Sequence, residues 1–265
     1  MVLPVIALTR RELVRFLRQR NRVIGALATP ILFWLLIGLG MGRSFAGAGG
    51  DGAGEGAGYL TYFFPGTILM ILLFTAIFST ISVIEDRREG FLQGVLVAPV
   101  GRSAIVGGKV LGGAILATGQ AVLFLLLGWA TGVATLSPLA AVVAVAAMFL
   151  IAVGLTALGL CLAWRMESTQ GFHAVMNLFL MPMWFLSGAL FPIRDDTPLL
   201  FKAVMLANPL TYALAWLRRV LWAAGPATGV RFPWQTSMSV TIVFAVVMVA
   251  AALLIARSRT TADAT

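Results

Sequence analysis

Residues 85–102 read EDRREGFLQGVLVAPVGR, a run that begins with five charged side chains and turns apolar before it reaches Pro99. Long apolar segments flank this run on both sides, at 59–84 and 104–132. About 20 consecutive apolar residues are enough for a helix to cross the hydrocarbon core of a bilayer. The pattern therefore predicts two membrane spans joined by a short amphipathic element that is suited to docking on another protein.

The composition of the whole chain favours the same environment. Of its 265 residues, 60% are hydrophobic and 11% are charged, whereas soluble domains carry about 25% charged residues. We expect the net charge of +9 to reflect basic residues kept on the cytoplasmic side of a membrane, and not binding to nucleic acid. A single cysteine excludes an internal disulfide, and a single histidine gives no basis for a metal cluster. The prediction is an all-α integral membrane protein that forms a single domain over residues 1–265.

Six apolar segments are long enough to span a membrane. Residues 199–225 are also apolar, but Lys202, the Asn208–Pro209 pair and Arg218–Arg219 divide them into pieces too short to cross, which predicts two interfacial or re-entrant helices. Residues 43–58 are rich in Gly and Ala and are predicted to form a flexible, acidic loop. The predicted spans are 23–42, 59–84, 104–132, 139–164, 172–191 and 236–256.

A basic amphipathic helix is predicted at residues 4–22, where Arg11, Arg15, Arg18 and Arg22 fall on one narrow stripe. Such a helix lies in the membrane interface with its basic face toward anionic headgroups or an acidic partner. A simple charge cluster that orients the first span is an equal alternative. With six spans, the excess of Lys and Arg on the side of the two termini places both termini in the cytoplasm.

The chain lacks the motifs that would supply energy for transport. Its nearest approach to a phosphate-binding loop is Gly107–Gly108–Lys109–Val110, which has no Ser or Thr after the lysine. An intramembrane serine protease is disfavoured because Ser187 and His173 lie about 21 Å apart along one predicted span. An ion-coupled secondary transporter stays as an alternative, although no Asp or Glu lies at the centre of a predicted span, where a proton relay would need one.

Polar residues within the spans are candidates for lining a pore, and ordinary helix packing is the competing interpretation. These candidates are Gln120, Asn177 and Ser187. An amphiphilic substrate would require a mainly apolar cavity around them. The Gly108–Gly112 spacing permits a close helix crossing and is compatible with a dimer.

Three strings carry a resemblance to a known family. They are 85–100 followed by Gly108–Lys109, the sequence FLSGALFP at 185–192, and NPLTY at 208–212 followed by Leu217–Arg218. In order and spacing the chain resembles the permease subunit of type 2 ABC exporters, a family that includes drug exporters and lipo-oligosaccharide or polysaccharide exporters.

The resemblance implies partners that composition does not. Two permease subunits, either a homodimer or a pair with a paralogous permease, would assemble with separate ATP-binding subunits that hold ATP and Mg. The helix at 85–97 would be a coupling helix seated on the ATP-binding subunit, and 193–220 would be a re-entrant gate that includes Asn208, Pro209 and Arg218. The coupling residues would be Glu85, Asp86, Arg87, Arg88, Glu89, Gly90, Phe91 and Leu92.

The function implied by this resemblance is ATP-driven export by alternating access. The substrate would be hydrophobic or amphiphilic: a drug-like molecule, as in multidrug efflux, a lipid or a lipid-linked glycan. The protein would be a multi-pass component of a bacterial inner membrane, in contact with membrane lipid. The chain itself would be no enzyme and would bind no cofactor.

Overall fold

The computed structural model describes residues 2–46, 57–91, 94, 101–193, 197–222 and 232–258. Within these ranges all regular structure is helical, which confirms the predicted fold class. A π-helical turn at Phe185–Ala189 follows the seventh helix. The α-helices are α1 (Val2–Arg18), α2 (Arg20–Ala46), α3 (Ala57–Ser79), α4 (Ile81–Arg88), α5 (Arg102–Ala130), α6 (Pro138–Ala163), α7 (Thr169–Trp184), α8 (Leu199–Ala207), α9 (Pro209–Leu221) and α10 (Trp234–Ser258).

Five helical segments of the described chain are long and apolar enough to cross a membrane, or six if the bent pair α8 and α9 forms one broken span. The five are Gly58–Arg88, Arg102–Ala130, Pro138–Ala163, Thr169–Ala189 and Trp234–Arg257. The predicted first span lies inside α2, whose apolar part, Leu27–Gly40, is shorter than the others. The protein is thus a multi-pass membrane protein.

The bundle is built around α3, which packs against α2, α5 and α6. In the segment formed by α3 and α4, 83% of the apolar stretch that could cross a membrane is buried inside the protein. The corresponding stretch of α10 is only 17% buried. Aromatic rings fill the interior between α2, α3 and α5: Phe64 and Phe124 stack at 4.9 Å, and Trp34 meets Phe124 edge-on at 5.5 Å. Gly128 permits this packing, because a Cβ there would lie 2.1 Å from the Phe64 ring.

Local sequence explains where α6 and α7 begin and where α5 ends. The hydroxyl of Ser137 accepts a hydrogen bond from the amide of Ala140 and caps α6, with Pro138 at the first helical position. Ser168 caps α7 in the same way, by accepting from Gly171 N. Gly132 adopts a φ of 74° just after α5 ends, a backbone conformation that glycine enters without strain.

Two predicted boundaries are wrong. The amphipathic helix ends at Arg18 and not at residue 22, so that Arg22 belongs to α2 and only its backbone is described. The predicted loop at 43–58 is shorter, because α2 continues to Ala46 and α3 begins at Ala57. The rest of that loop, 47–56, lies outside the described residues.

The helix break at Asn208 agrees with the prediction. Helices α8 and α9 have 9 and 13 residues and meet at an angle of 75°. At 1.5 Å per residue they are about 14 and 20 Å long, each shorter than the roughly 30 Å hydrocarbon core of a bilayer. Asn208 caps α9 by accepting a hydrogen bond from Leu210 N at 3.0 Å, and Pro209 occupies the first helical position.

Candidate functional site

The run of charge at 85–91 continues the second span and does not form a separate helix in the described part of the chain. Glu85 to Arg88 are the last turn of α4, and Glu89 and Gly90 form a turn with Gly90 at a φ of 73°. Phe91 is partly buried. Leu92 and most of the remainder of the predicted coupling helix, up to residue 97, lie outside the described residues.

Asp86 is the centre of a charged cluster that joins α1, α4 and α5. Its carboxylate is fully buried and binds both Arg11 and Arg15: Arg11 Nη2 and Nη1 donate to Oδ1 and Oδ2 at 2.7 and 3.0 Å, and Arg15 Nη1 donates to Oδ1 at 2.8 Å. Lys109 Nζ also donates to Oδ2. A carboxylate offers about four lone-pair sites, and in Asp86 all four are used inside the chain.

Lys109 enters the cluster from α5, where it is 4% exposed near the start of an apolar helix. Its ammonium group donates to Glu12 Oε1 at 2.7 Å, to Ser82 Oγ at 2.9 Å and to Asp86. An ammonium group has three protons, so each has an acceptor. This arrangement offsets the desolvation cost that a buried lysine would otherwise incur.

The outer side of the charged cluster is partly exposed. Arg15 Nη2 donates to Glu85 at 2.9 Å and lies 3.5 Å from Glu89, whose side chain is 61% exposed. The guanidinium of Arg11 also stacks over the ring of Phe91, 3.7 Å from its centre. Hydrogen bonding to Asp86 raises the pKa of Arg11 above its ordinary value. An arginine is charged at every physiological pH even without such a shift.

The charged cluster identifies the acidic partner of the basic helix. Arg11 and Arg15 face acidic residues of the same chain, and Arg18 is exposed. The helix lies against α5, because Gly108 and Gly112 leave room for it: a Cβ at these positions would lie 2.5 Å from Leu8 Cβ and 2.9 Å from Glu12 Cβ. The close crossing predicted from the Gly108–Gly112 spacing is therefore made within one chain.

The remaining charged residues of this region fix the neighbouring loop. Arg87 donates to the carbonyl oxygens of Trp164 and Met166 at 2.8 and 3.3 Å. Arg88 Nε donates to the carbonyl oxygen of Glu167 at 3.2 Å, and the Arg88 side chain stays exposed. Consequently the exposed surface at Arg88, Glu89 and Gly90 is hydrogen-bonded to the loop between α6 and α7.

A second cluster, the tyrosine cluster of Tyr59, Tyr62, Gly188 and Arg218, lies at the other end of α3. The carbonyl oxygen of Gly188 accepts hydrogen bonds from Tyr62 OH at 2.8 Å and from Arg218 Nη2 at 3.0 Å. The Arg218 guanidinium lies over the Tyr62 ring, 4.3 Å from its centre. Tyr59 OH donates to the carbonyl oxygen of Leu190 at 3.1 Å. The tyrosine cluster thus joins two of the three sequence strings on which the family resemblance rests: 185–192, which contains Gly188, and 208–212 with the following Leu217–Arg218.

The other pore and gate candidates have structural partners, with one exception. Gln120 accepts from Thr75 Oγ1 at 2.6 Å, although its buried Nε2 has no partner in the described residues. Ser187 donates to the carbonyl oxygen of Trp184 at 2.6 Å, and Asn208 Nδ2 donates to that of Met183 at 2.6 Å. Asn177, in contrast, is exposed on α7.

The sequence interpretation missed the buried Glu12 and the cavity between α2, α3 and α7. This cavity has a volume of about 420 Å³ and is lined mainly by apolar side chains, with Phe16 of α1 and His173 of α7 among them. None of the pore and gate candidates lines it. For Glu12 a signal did exist: a lysine inside an apolar helix requires a buried acidic partner.

Comparison with known proteins agrees with this architecture. A family model described as ABC-2 type transporter matches residues 4–222. Two relatives carry the same printed name, "Putative transport permease ycf38". The relative from Cyanophora paradoxa is 26% identical over 212 residues, which cover 80% of this chain and 71% of the relative. The relative from Porphyra purpurea is 24% identical over 215 residues, which cover 81% and 72%.

The match spans nearly all of the helical bundle, including α1, the charged cluster and the tyrosine cluster. The resemblance inferred from the three sequence strings is therefore confirmed. The chain belongs to the ABC-2 type transporter family, as a membrane permease subunit.

Proposed function

We propose that the chain is the permease of an ATP-driven exporter that moves hydrophobic or amphiphilic molecules out of the cytoplasm by alternating access. Members of this family normally work with an ATP-binding subunit. The observation that carries the proposal is the exposed surface at Arg88, Glu89 and Gly90. It projects from an ion-pair cluster whose centre, Asp86, is fully buried, so a force applied there is transmitted to α1, α4 and α5 together.

In this proposal the charged end of the bundle faces the cytoplasm, with both termini, and ATP and Mg are held by the partner. Asp86 takes a different role from the one expected, because its lone pairs are all occupied within the chain. It anchors the coupling surface instead of contacting the partner. Arg88 and Glu89 make the contact, and a second permease copy or a paralogue completes the transporter.

The tyrosine cluster would then form the gate on the outer side. About 24 residues separate Tyr62 from Asp86, a distance of about 36 Å along a helix, which matches the thickness of a membrane. Release of Gly188 from Tyr62 and Arg218 would free the π turn at Phe185–Ala189, and with it the bent pair α8 and α9.

Co-purification with the ATP-binding subunit tests the coupling surface. We expect Arg88→Glu combined with Glu89→Arg to abolish co-purification while the variant still inserts and migrates as a folded protein. Arg10→Glu, an exposed charge reversal away from the surface, should leave co-purification unchanged. The permease purified alone should hydrolyse no ATP. Full co-purification and transport in the double variant would rule out this docking surface.

A second candidate is ion-coupled secondary transport, which the buried Glu12 favours, because buried carboxylates are used as proton relays. Against it, Glu12 is already paired with Lys109 and Arg11. Transport in ATP-depleted vesicles with an imposed proton gradient would support this alternative, and transport that requires ATP would support the exporter.

A further inference from the structure

We propose that the cavity between α2, α3 and α7 is a binding site for an uncharged, mostly apolar small molecule that carries one hydrogen-bonding group. This proposal names a substrate class and a site for the proposed exporter. Transport of the bound molecule rests on the proposed function, but its binding does not. The binding itself can be measured on the permease alone.

The size and the walls of the cavity suit such a molecule. Its volume of about 420 Å³ lies within the range of about 300–1,000 Å³ that is usual for small-molecule sites. The walls are mainly apolar, with Phe33 from α2, Phe74 and Phe78 from α3 and Met181 from α7. Among the described residues that line the cavity there is no Asp, Glu, Lys or Arg, so this part of the wall offers a charged ligand no counter-ion.

A few polar groups converge on this apolar space. His173 is an exposed residue on the wall of the cavity: its ring lies 4.9 Å from that of Phe78, and within the described residues its nitrogens have no hydrogen-bond partner. The hydroxyls of Thr75 and Ser79 already donate, to Gln120 Oε1 and to Ala76 O, and so they keep lone pairs that can accept. A ligand with one N–H or O–H group can therefore be hydrogen-bonded inside the cavity.

These groups favour a small molecule over a lipid acyl chain as the occupant. An acyl chain can donate no hydrogen bond to a His173 nitrogen or to the remaining lone pairs of the two hydroxyls, so it would gain none of the hydrogen bonds that a polar group can make there. A compact aromatic molecule with one polar group can satisfy one of them while it packs against the Phe rings.

The cavity is also connected to the charged cluster through α1. Phe16, which lines the cavity, directly follows Arg15 and lies one helical turn beyond Glu12. Arg15 and Glu12 are fixed to Asp86 and Lys109 respectively. A displacement of the end of α4 therefore moves Phe16 together with α1, which gives the coupling surface a direct mechanical path to the site.

The test uses 1-aminoanthracene, a fluorescent aromatic amine, and the permease in phosphatidylcholine nanodiscs, with empty nanodiscs as background. Gly25 on the cavity wall offers a cavity-filling variant, Gly25→Phe, because a Cβ at this position would meet nothing within 4 Å. Gly40→Phe is the matched control on the same helix, since the Cβ position there is equally open and lies outside the cavity.

We expect saturable binding to the wild type and to Gly40→Phe, and at least a tenfold loss of affinity in Gly25→Phe. His173→Phe should weaken binding severalfold, because it preserves the aromatic wall and removes the hydrogen-bonding nitrogens.

Equal affinity in Gly25→Phe and the wild type, or a fluorescence signal that never saturates above that of empty nanodiscs, would overturn the site. Undiminished binding in His173→Phe would overturn the polar part of the proposal. If the permease binds the amine but the assembled transporter does not move it when ATP is supplied, the binding site is supported and the proposed export function is contradicted.

Discussion

Arg11 in the N-terminal helix binds Asp86 in the last turn of α4 with both terminal guanidinium nitrogens, at 2.7 and 3.0 Å, across 75 positions of sequence. A paired two-nitrogen contact of this kind fixes orientation as well as distance. This contact attaches α1 to the helical bundle, whereas an amphipathic helix without it could lie in the membrane interface apart from the bundle.

Asp86→Asn should destabilise the docking of α1. The change leaves Arg11, Arg15 and Lys109 without their shared counter-ion, and removal of one partner from a buried ion pair costs about 3–5 kcal/mol. We expect faster tryptic cleavage of α1 at the exposed Arg10 and Arg18 in the purified protein. Glu167→Gln removes the same charge from an exposed side chain and should leave the cleavage rate unchanged. Equal cleavage of the two variants would contradict the role given to Asp86.

Lys109→Met and Glu12→Gln should be strongly coupled. Each single change leaves a charge in the buried cluster with one partner fewer, whereas the double change removes both members of the 2.7 Å pair. Contacting residues show interaction energies of about 0.5–3 kcal/mol in such cycles. Thermal unfolding of the four proteins, followed by loss of the monodisperse peak, measures the coupling. Purely additive losses would show that the two side chains do not act as a pair.

Gly108→Ala should displace α1 from α5. The added methyl group would lie 2.5 Å from Leu8 Cβ, closer than two carbon atoms can approach, so the backbone must move. Overpacking of this kind costs about 1–3 kcal/mol. Gly119→Ala, on the same helix with nothing within 4 Å of its Cβ position, is the control and should be neutral or slightly stabilising. The thermal assay above distinguishes them, and identical unfolding temperatures would exclude the close crossing.

Arg218→Met should loosen the π turn at the tyrosine cluster. The turn would lose the donor that lies 3.0 Å from Gly188 O and keep only Tyr62. In a Cys161→Ala background, a cysteine introduced by Ser187→Cys reports this opening, because residue 187 is buried. We expect its maleimide labelling to accelerate about tenfold, which corresponds to about 1.4 kcal/mol of opening free energy.

The control for this experiment is the neighbouring arginine. Arg219 donates to the carbonyl oxygen of Phe232 at 2.6 Å and makes no contact with Gly188. Arg219→Met should therefore leave the labelling of residue 187 slow. If both variants accelerate labelling equally, the effect comes from a general loosening of α9 and not from the Arg218–Gly188 bond.

The sequence by itself determined the helical class, the approximate extent of the spans and the break at Asn208. These follow from local rules: the length of an apolar run decides whether a helix can cross a membrane, and a capping Asn followed by Pro starts a new helix wherever it occurs. The family could also be inferred, because its strings are short stretches of contiguous residues.

Only the tertiary structure decided which partner each charge has. Glu12 and Lys109 are 97 positions apart, and no periodicity relates them. Asp86 lies at the end of a span and is one of the predicted coupling residues, and its four lone-pair sites are occupied by side chains from two other helices, α1 and α5. A buried charge must be compensated by whatever the fold brings within about 3 Å, and that distance is set by how α1, α4 and α5 pack, with Gly108 and Gly112 making room for α1.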